Sequence, residues 1–286
     1  MSGWRLGIWL LCLVGLGCAA PKTTGVGLLE MAVATNDAGY QYYRQGKWDL
    51  AEEKFTQALN LNRLIDRQDG IAANLNNLGA LAQEQGDLPR AKECFDEALD
   101  ILRPLGEPAG LAETLNNLGS LYQAQGRLDA AEKAYQEAMI YARQTPTTAL
   151  QSLTLTHLGD VARARGEFVP ALDLYNQALR LDEARKDRQG RAVRQERLGR
   201  TYLALQNYSV AGSYLLEALR EFRVQEDTGG IVDALDSLTR LNLALGDQAA
   251  AADYGERLVK IYQARGQDQE AEKVQKLLKK GNGAKG

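Results

Sequence analysis

The sequence predicts an all-α fold: a solenoid of six helix-turn-helix repeats followed by a C-terminal capping helix. Three observations predict it. Glycines recur every 40 residues at Gly79, Gly119, Gly159 and Gly199, and Gly39 extends the series backward. Seven residues after each slot of this series stands a second mark, Gly46, Gly86, Gly126, Gly166 and Gly246, with Gln206 in the fifth position. Five further on comes an alanine (Ala51, Ala91, Ala131, Ala171, Ala211, Ala251), and seven beyond that another small residue (Ala58, Ala98, Ala138, Ala178, Ala218). A fixed period in this range marks stacked units that bury a core only together.

The first segment, residues 1–17, is different in kind. Arg5 precedes a short apolar run that ends in small residues, which reads as a secretory signal peptide. The run is too short to span a bilayer comfortably as a mature helix. Its end, Gly15-Leu16-Gly17-Cys18, resembles the bacterial lipobox, with Gly15 where a large aliphatic is usual. That resemblance implies cleavage before Cys18 and acylation of its thiol, hence a lipid anchor in a bacterial cell envelope, facing the periplasm. Ala19 after the cysteine resembles lipoproteins sent to the outer membrane. Residues 18–28 are then the lipidated N-terminus and a short Gly/Thr tether that holds the rest near the membrane without fixing its orientation.

Residues 29–266 carry the repeats. In the second, Leu75, Leu78 and Ala82, then Leu88, Ala91, Phe95 and Ala98, lie three or four apart, so each set forms one helical face. Gly86 and Asp87 interrupt the pattern and turn the chain. The glycines and alanines let two backbones approach, and a large residue fills the space opposite: Phe55, Phe95, Tyr135, Tyr175, Leu215. Gly255 occupies that slot in the sixth repeat, a decay expected of a terminal unit. Residues 267–280 read as a capping helix with Ala271, Val274 and Leu278 inward, and 281–286 as a disordered basic, Gly-rich tail.

The order Gly, Gly, Ala, aromatic, Ala resembles the tetratricopeptide repeat. The proline usual at the end of the second helix is absent; Arg63, Arg103, Arg143, Glu183, Arg223 and Gln263 stand there. The period exceeds the common length of about 34 residues. It is similar to the extended repeats of kinesin light chains and Pins-type adaptors, a likeness strengthened by the Leu-Asn-Asn-Leu-Gly runs ending at Gly79 and Gly119. The resemblance implies a right-handed α-solenoid whose first helices line a concave groove that binds a protein or peptide partner.

Counting from the first glycine of each repeat, positions six, three and two before it and one after it form a helical stripe expected to face the groove. On that stripe lie Asn36, the doublets Asn76-Asn77 and Asn116-Asn117, then His157, Asp160, Arg197, Arg200 and Arg240. Asparagine is a poor helix former, so two mid-helix doublets call for a reason. In peptide-binding members of the family an asparagine at the slot of Asn77 and Asn117 holds the backbone of an extended peptide, and its carboxamide has the donors and acceptor to do so. Arg197, Arg200 and Arg240, joined by Arg163, suit carboxylate recognition. The competing expectation is internal neutralisation by Asp160, Glu196, Asp233 and Asp236. The basic run from Arg180 to Arg200 reads as a solvated loop and helix face.

The formal net charge is −3, and −4 without Arg5, which argues against a general nucleic-acid binder. The chain holds one histidine, His157, which rules out a multi-histidine metal site and leaves a Ser-His-Asp arrangement no other base. No phosphate loop or paired-cysteine motif occurs. No catalytic residue, metal or cofactor is therefore expected. Cys94 reads as a small half-buried thiol. The sequence points to a membrane-tethered interaction scaffold that assists assembly of an envelope complex, with an envelope carbohydrate-binding or enzymatic protein as the alternative. It leaves the oligomeric state open.

Overall fold

The structure, a computed structural model, describes residues 25–283. The signal peptide, Cys18 and much of the tether fall outside the described residues, as does the end of the tail. Thirteen helices follow one another with no strand among the described residues. They pair as hairpins: α1 (Gly25–Arg44) with α2 (Trp48–Leu64), α3 (Gln68–Glu84) with α4 (Leu88–Leu105), and α5 (Pro108–Ala124) with α6 (Leu128–Ala142). Then come α7 (Ala149–Ala164) with α8 (Phe168–Arg185), α9 (Arg188–Ala204) with α10 (Tyr208–Val224), α11 (Thr228–Leu245) with α12 (Gln248–Ala264), and the single α13 (Asp268–Gly283). The first helix begins at Gly25, inside the segment expected as tether, because Leu28 and Leu29 are already half-buried. The last runs to Gly283, beyond the boundary expected at 280. No helix among the described residues is long and apolar enough to cross a membrane.

The first glycine of each hairpin sits where its helix meets its partner. A Cβ on Gly119 would lie 2.4 Å from the Tyr135 ring, and one on Gly39, Gly79, Gly159 or Gly199 would lie 2.6 Å from Phe55, Phe95, Tyr175 or Leu215. The second glycine makes the turn. Gly46, Gly86, Gly126, Gly166 and Gly246 all have positive φ, and Gln206 adopts the same conformation at φ 59° despite its Cβ. Asp87, Asp187, Asn207, Asp227 and Asp247 then cap the helices that follow, each accepting a backbone N–H three residues on.

Hairpins join through a second close approach. Leu102 packs on Gly110 and Phe222 on Gly230; Asn62 and Asp182 take the same place against Gly70 and Gly190. At the third junction the sizes are exchanged, with Ala142 on α6 and Leu150 on α7, and a longer linker, residues 143–148, connects them. Gly255 is likewise explained by its neighbour: a Cβ there would lie 2.8 Å from Leu278, so the missing side chain admits α13. Ala271 and Val274 of α13 are buried against the last hairpin.

First helices also touch one another (α3 with α5, α5 with α7, α9 with α11), so they line the inner side of the stack. The stack curves until its ends approach. Arg44, at the end of α1, shares a cleft of about 430 Å³ with Gln225–Gly229 and Arg265 of the last two hairpins.

Ala131 is fully buried between helices and Ala124 is exposed. Ala131→Leu is therefore expected to cost about 1–3 kcal/mol by overpacking, and Ala124→Leu to be nearly silent. Thermal melts of the two variants check the register, and equal shifts would contradict it.

Candidate functional site

The inner face divides into three rows, and the row three before the glycine does not face the groove. Asn76 and Asn116 are 7% and 2% exposed, and Thr156 and Glu196 are buried beside them. The expectation that Asn76 and Asn116 lie open to a partner is overturned, because the next first helix covers that side. What remains accessible is the row six before (Val33, Ala73, Glu113, Leu153, Val193, Asp233), much of the row two before, and the row one after (Tyr40, Ala80, Ser120, Asp160, Arg200, Arg240).

The asparagines form a ladder between hairpins. Asn74 and Asn77 each donate from Nδ2 to Asn36 Oδ1, at 2.9 and 2.8 Å. One step on, Asn76 Nδ2 donates to Thr114 Oγ1 at 2.8 Å, and Asn117 Nδ2 reaches Asn76 Oδ1 at 3.4 Å. Asn116 Nδ2 donates to Thr154 Oγ1 at 2.9 Å. Asn62 Nδ2 closes the first junction on Asn74 Oδ1 at 2.7 Å. The side-chain nitrogens of the doublets thus all find partners across the seams, while Asn116 Oδ1 is buried without one among the described residues. Those bonds are the physical reason for a poor helix former in mid-helix. Asn77 and Asn117 keep their outer sides half-exposed to the groove.

Towards the C-terminus the same positions carry charge. Arg194, equivalent to Asn74, pairs with Asp182, equivalent to Asn62, at 3.1 Å, and donates to Ser152 Oγ. Arg185 donates to Asp182 at 2.6 Å. The basic run is therefore not simply a solvated face: Arg194 is buried, and burial pushes its guanidinium pKa down. Arg197 donates to Glu196 at 2.7 Å and pairs with Asp160 at 3.2 Å. Burial works against its charge, but Asp160, Glu196, Tyr175 and Asp233 together outweigh it and raise its pKa. Asp160 also accepts from the Tyr175 hydroxyl at 2.7 Å. Arg200 stands 3.5 Å from Glu196, Arg163 4.0 Å from Asp160, and Arg240 bonds Asp236 at 2.7 Å. Ser237 Oγ donates to Glu196 Oε1 at 3.2 Å. Burial raises the Glu196 carboxyl pKa against the pull of Arg197 and Arg200. Of the two expectations for these arginines, internal neutralisation is the arrangement found.

His157 is no plain surface residue. Its ring stacks on Tyr135, centroids 4.9 Å apart and planes 8° from parallel. Burial lowers its pKa to about 4; Asp160 opposes this, and Arg194 and Arg197 add to it. Among the described residues no group of His, Cys, Asp and Glu side chains is arranged to hold a metal.

One opening escaped the pattern reading. Between α4 and α6, away from the groove, Leu99, Leu115, Leu118 and Tyr122 floor a cavity of about 550 Å³. The signal was Ala134, which stands where the other hairpins carry the larger Lys54, Cys94, Leu174, Tyr214 and Tyr254.

A family model described as tetratricopeptide repeat matches residues 30–103 and 110–184. Among solved structures, pilF of Pseudomonas aeruginosa is similar at 20% identity and TM-score 0.55, covering 85% of this chain and 97% of that one. PilW, a widely conserved type IV pilus biogenesis factor, is similar at 19% and 0.59, covering 84% and 97%. A Rap protein complexed with Competence and Sporulation Factor is similar at 14% and 0.68, covering 91% and 76%. At these identities the likeness is one of fold. No curated protein matches the chain in sequence.

Asn76→Ala removes at once the donor to Thr114, whose hydroxyl still bonds the Gly110 carbonyl, and the acceptor for Asn117. It is expected to cost about 1–3 kcal/mol, read as a fall in the urea midpoint, with Asn77→Ala costing less. A second expectation concerns pH. The unfolded chain protonates its one histidine near pH 6.5, whereas folded His157 stays neutral down to about 4. The unfolded state thus binds the extra proton, and stability falls as pH drops through that window. The raised carboxyls of Glu113, Glu196 and Asp233 work in the opposite sense. His157→Phe keeps a ring on Tyr135 and removes only the first effect. Between pH 7 and 5 the variant should therefore gain about 1–2 kcal/mol relative to wild type, measured by urea denaturation at both values.

Proposed function

The chain belongs to the tetratricopeptide repeat family, and we propose that it is a membrane-tethered scaffold that holds a segment of a partner protein in its concave groove and so assists assembly of an envelope complex. The observation that carries this reading is the groove itself. Much of three rows of first-helix side chains faces inward and stays accessible, and among them Val33, Tyr40, Ala73 and Leu153 are apolar or small groups left exposed. A continuous concave surface of this kind suits an extended segment or a helix better than a small molecule.

The tether rests on the run that ends at Cys18 and on Ala19 after it; acylation there would place the solenoid on the periplasmic side, at the outer membrane. The fold shared with pilF and with PilW, a pilus biogenesis factor, supports an envelope role.

The reading is tested in two halves. Lipid label is expected on the wild-type protein and lost in Cys18→Ser; label that persists in the variant, or is absent from the wild type, would remove the anchor. A photo-crosslinking residue at Ala73, in the groove, should capture a specific partner in intact cells. Capture from Leu64 alone, 73% exposed on the second helix of the first hairpin, would move the binding surface elsewhere.

A further inference from the structure

We propose that the N-terminal half of the groove, built by α1, α3 and α5, is a docking surface for a partner segment that carries lysine or arginine side chains among apolar ones. The inference rests on the groove reading above and gives that partner its chemistry.

The charge of the first helices is strongly asymmetric. The three N-terminal ones contain a single basic residue, Arg44, at the last position of α1. That residue lines the cleft towards the fifth and sixth hairpins. α9 alone contains Arg188, Arg191, Arg194, Arg197 and Arg200. The two halves also differ in what their charges already hold. In the C-terminal half Asp160, Glu196 and Asp236 are each bound to an arginine, and Asp233, which makes no ion pair among the described residues, lies within the field of Arg197 and Arg200. In the N-terminal half Asp37, Glu84 and Glu113 are exposed, and none of them takes part in an ion pair or side-chain hydrogen bond among the described residues.

Around these free carboxylates the surface is apolar and aromatic. Tyr40 is 49% exposed and Val33 46%, with Ala73 and Ala80 beside them. Tyr40 is held edge-on against Phe55, ring centroids 5.9 Å apart, so its ring is fixed while its outer part stays open. Glu113 of the third hairpin lies near enough across the groove to add to the effect of burial in raising the Tyr40 phenol pKa. Glu84 does the same for Tyr43. Partial desolvation by the helices around it raises the Glu113 carboxyl pKa, although its outer surface stays exposed. An aromatic face beside an uncompensated carboxylate favours an ammonium or guanidinium by cation–π attraction and ion pairing together. The small apolar floor has room for the side chains between.

The probe is a short acetylated and amidated peptide of repeating Lys-Leu-Ala units, titrated by calorimetry into the full-length chain, with a Glu-Leu-Ala peptide as its counterpart. The lysine probe should bind, weaken as salt is added, and lose about tenfold in affinity in Asp37→Asn/Glu113→Gln and again in Tyr40→Ala. Arg200→Gln, in the other half, should leave it unchanged. Circular dichroism confirms that each variant is folded. Equal binding of the glutamate peptide would overturn the proposal, as would unchanged lysine-probe affinity in the double variant. The two readings fail separately. A native partner captured at Ala73 through an acidic segment keeps the groove and overturns its proposed chemistry, whereas capture only at Leu64 overturns the groove itself.

Discussion

The approach of a bare glycine backbone to a large ring sets the geometry of this molecule. With Tyr135 packed where a Cβ on Gly119 would stand, α5 and α6 can sit closer than side-chain-lined helices do; three other hairpins repeat the arrangement with a ring, and a fourth with Leu215 against Gly199. Because each hairpin is a fixed wedge, the stack curves in one direction, and its first helices are pressed together on the inside. The seam between first helices, the width of the groove and the return of Arg44 towards the last hairpins follow from that wedge. It also explains why α13 can cap the stack: Gly255, which breaks the pattern, vacates the space that Leu278 takes.

Pressing first helices together buries polar side chains, and the chain satisfies them in two ways. At the N-terminal seams carboxamides and hydroxyls bond each other; at the C-terminal seams arginines bond carboxylates. The substitution is positional, since Asn62 and Asn74 become Asp182 and Arg194 at equivalent places. Neither solution is a large source of stability, because a hydrogen bond exchanged for water contributes only about 0.5–1.5 kcal/mol and a buried ion pair roughly offsets its own desolvation. Their effect is on register. A hairpin that slipped by one residue would leave Asn76 or Glu196 facing apolar neighbours, and an unpaired polar group there is costly.

The fold was legible because the period is long, repeated and anchored on glycine, which has few substitutes at a close approach. The groove was only partly legible, and helical geometry shows why. At about 100° per residue, positions six before, two before and one after the glycine fall within roughly 60° of one another, whereas the position three before lies on one flank of that stripe. Sequence periodicity treats all four as one face. The neighbouring first helix covers the flank, so Asn76 and Asn116 are buried while Asn77 and Asn117 remain half-open. The ion pairs of Arg197 could be named as a possibility from the acids on the same face, but the choice between them and a ligand depends on distances across hairpins. Curvature sets those distances, and a single repeat does not encode it. The same holds for Tyr40 and Glu113, far apart in the chain and brought across the groove from each other only by the stack.

A charge can recognise a partner only to the extent that the protein has not already used it. The groove of this chain holds most of its arginines where carboxylates are already bound to them, so an incoming anion would have to displace Asp160 or Glu196 from Arg197 and leave a buried carboxylate unpaired. A cation entering the N-terminal half displaces nothing but water from Asp37 and Glu113. The denser charge is therefore the less available one. The arginine-rich stretch that dominates the sequence holds hairpins together, and the sparsely charged stretch is where a partner would meet uncompensated groups. A bound segment that covered Val33, Ala73 and the ring of Tyr40 would shut water out around Glu113 and so strengthen its pull on a cation.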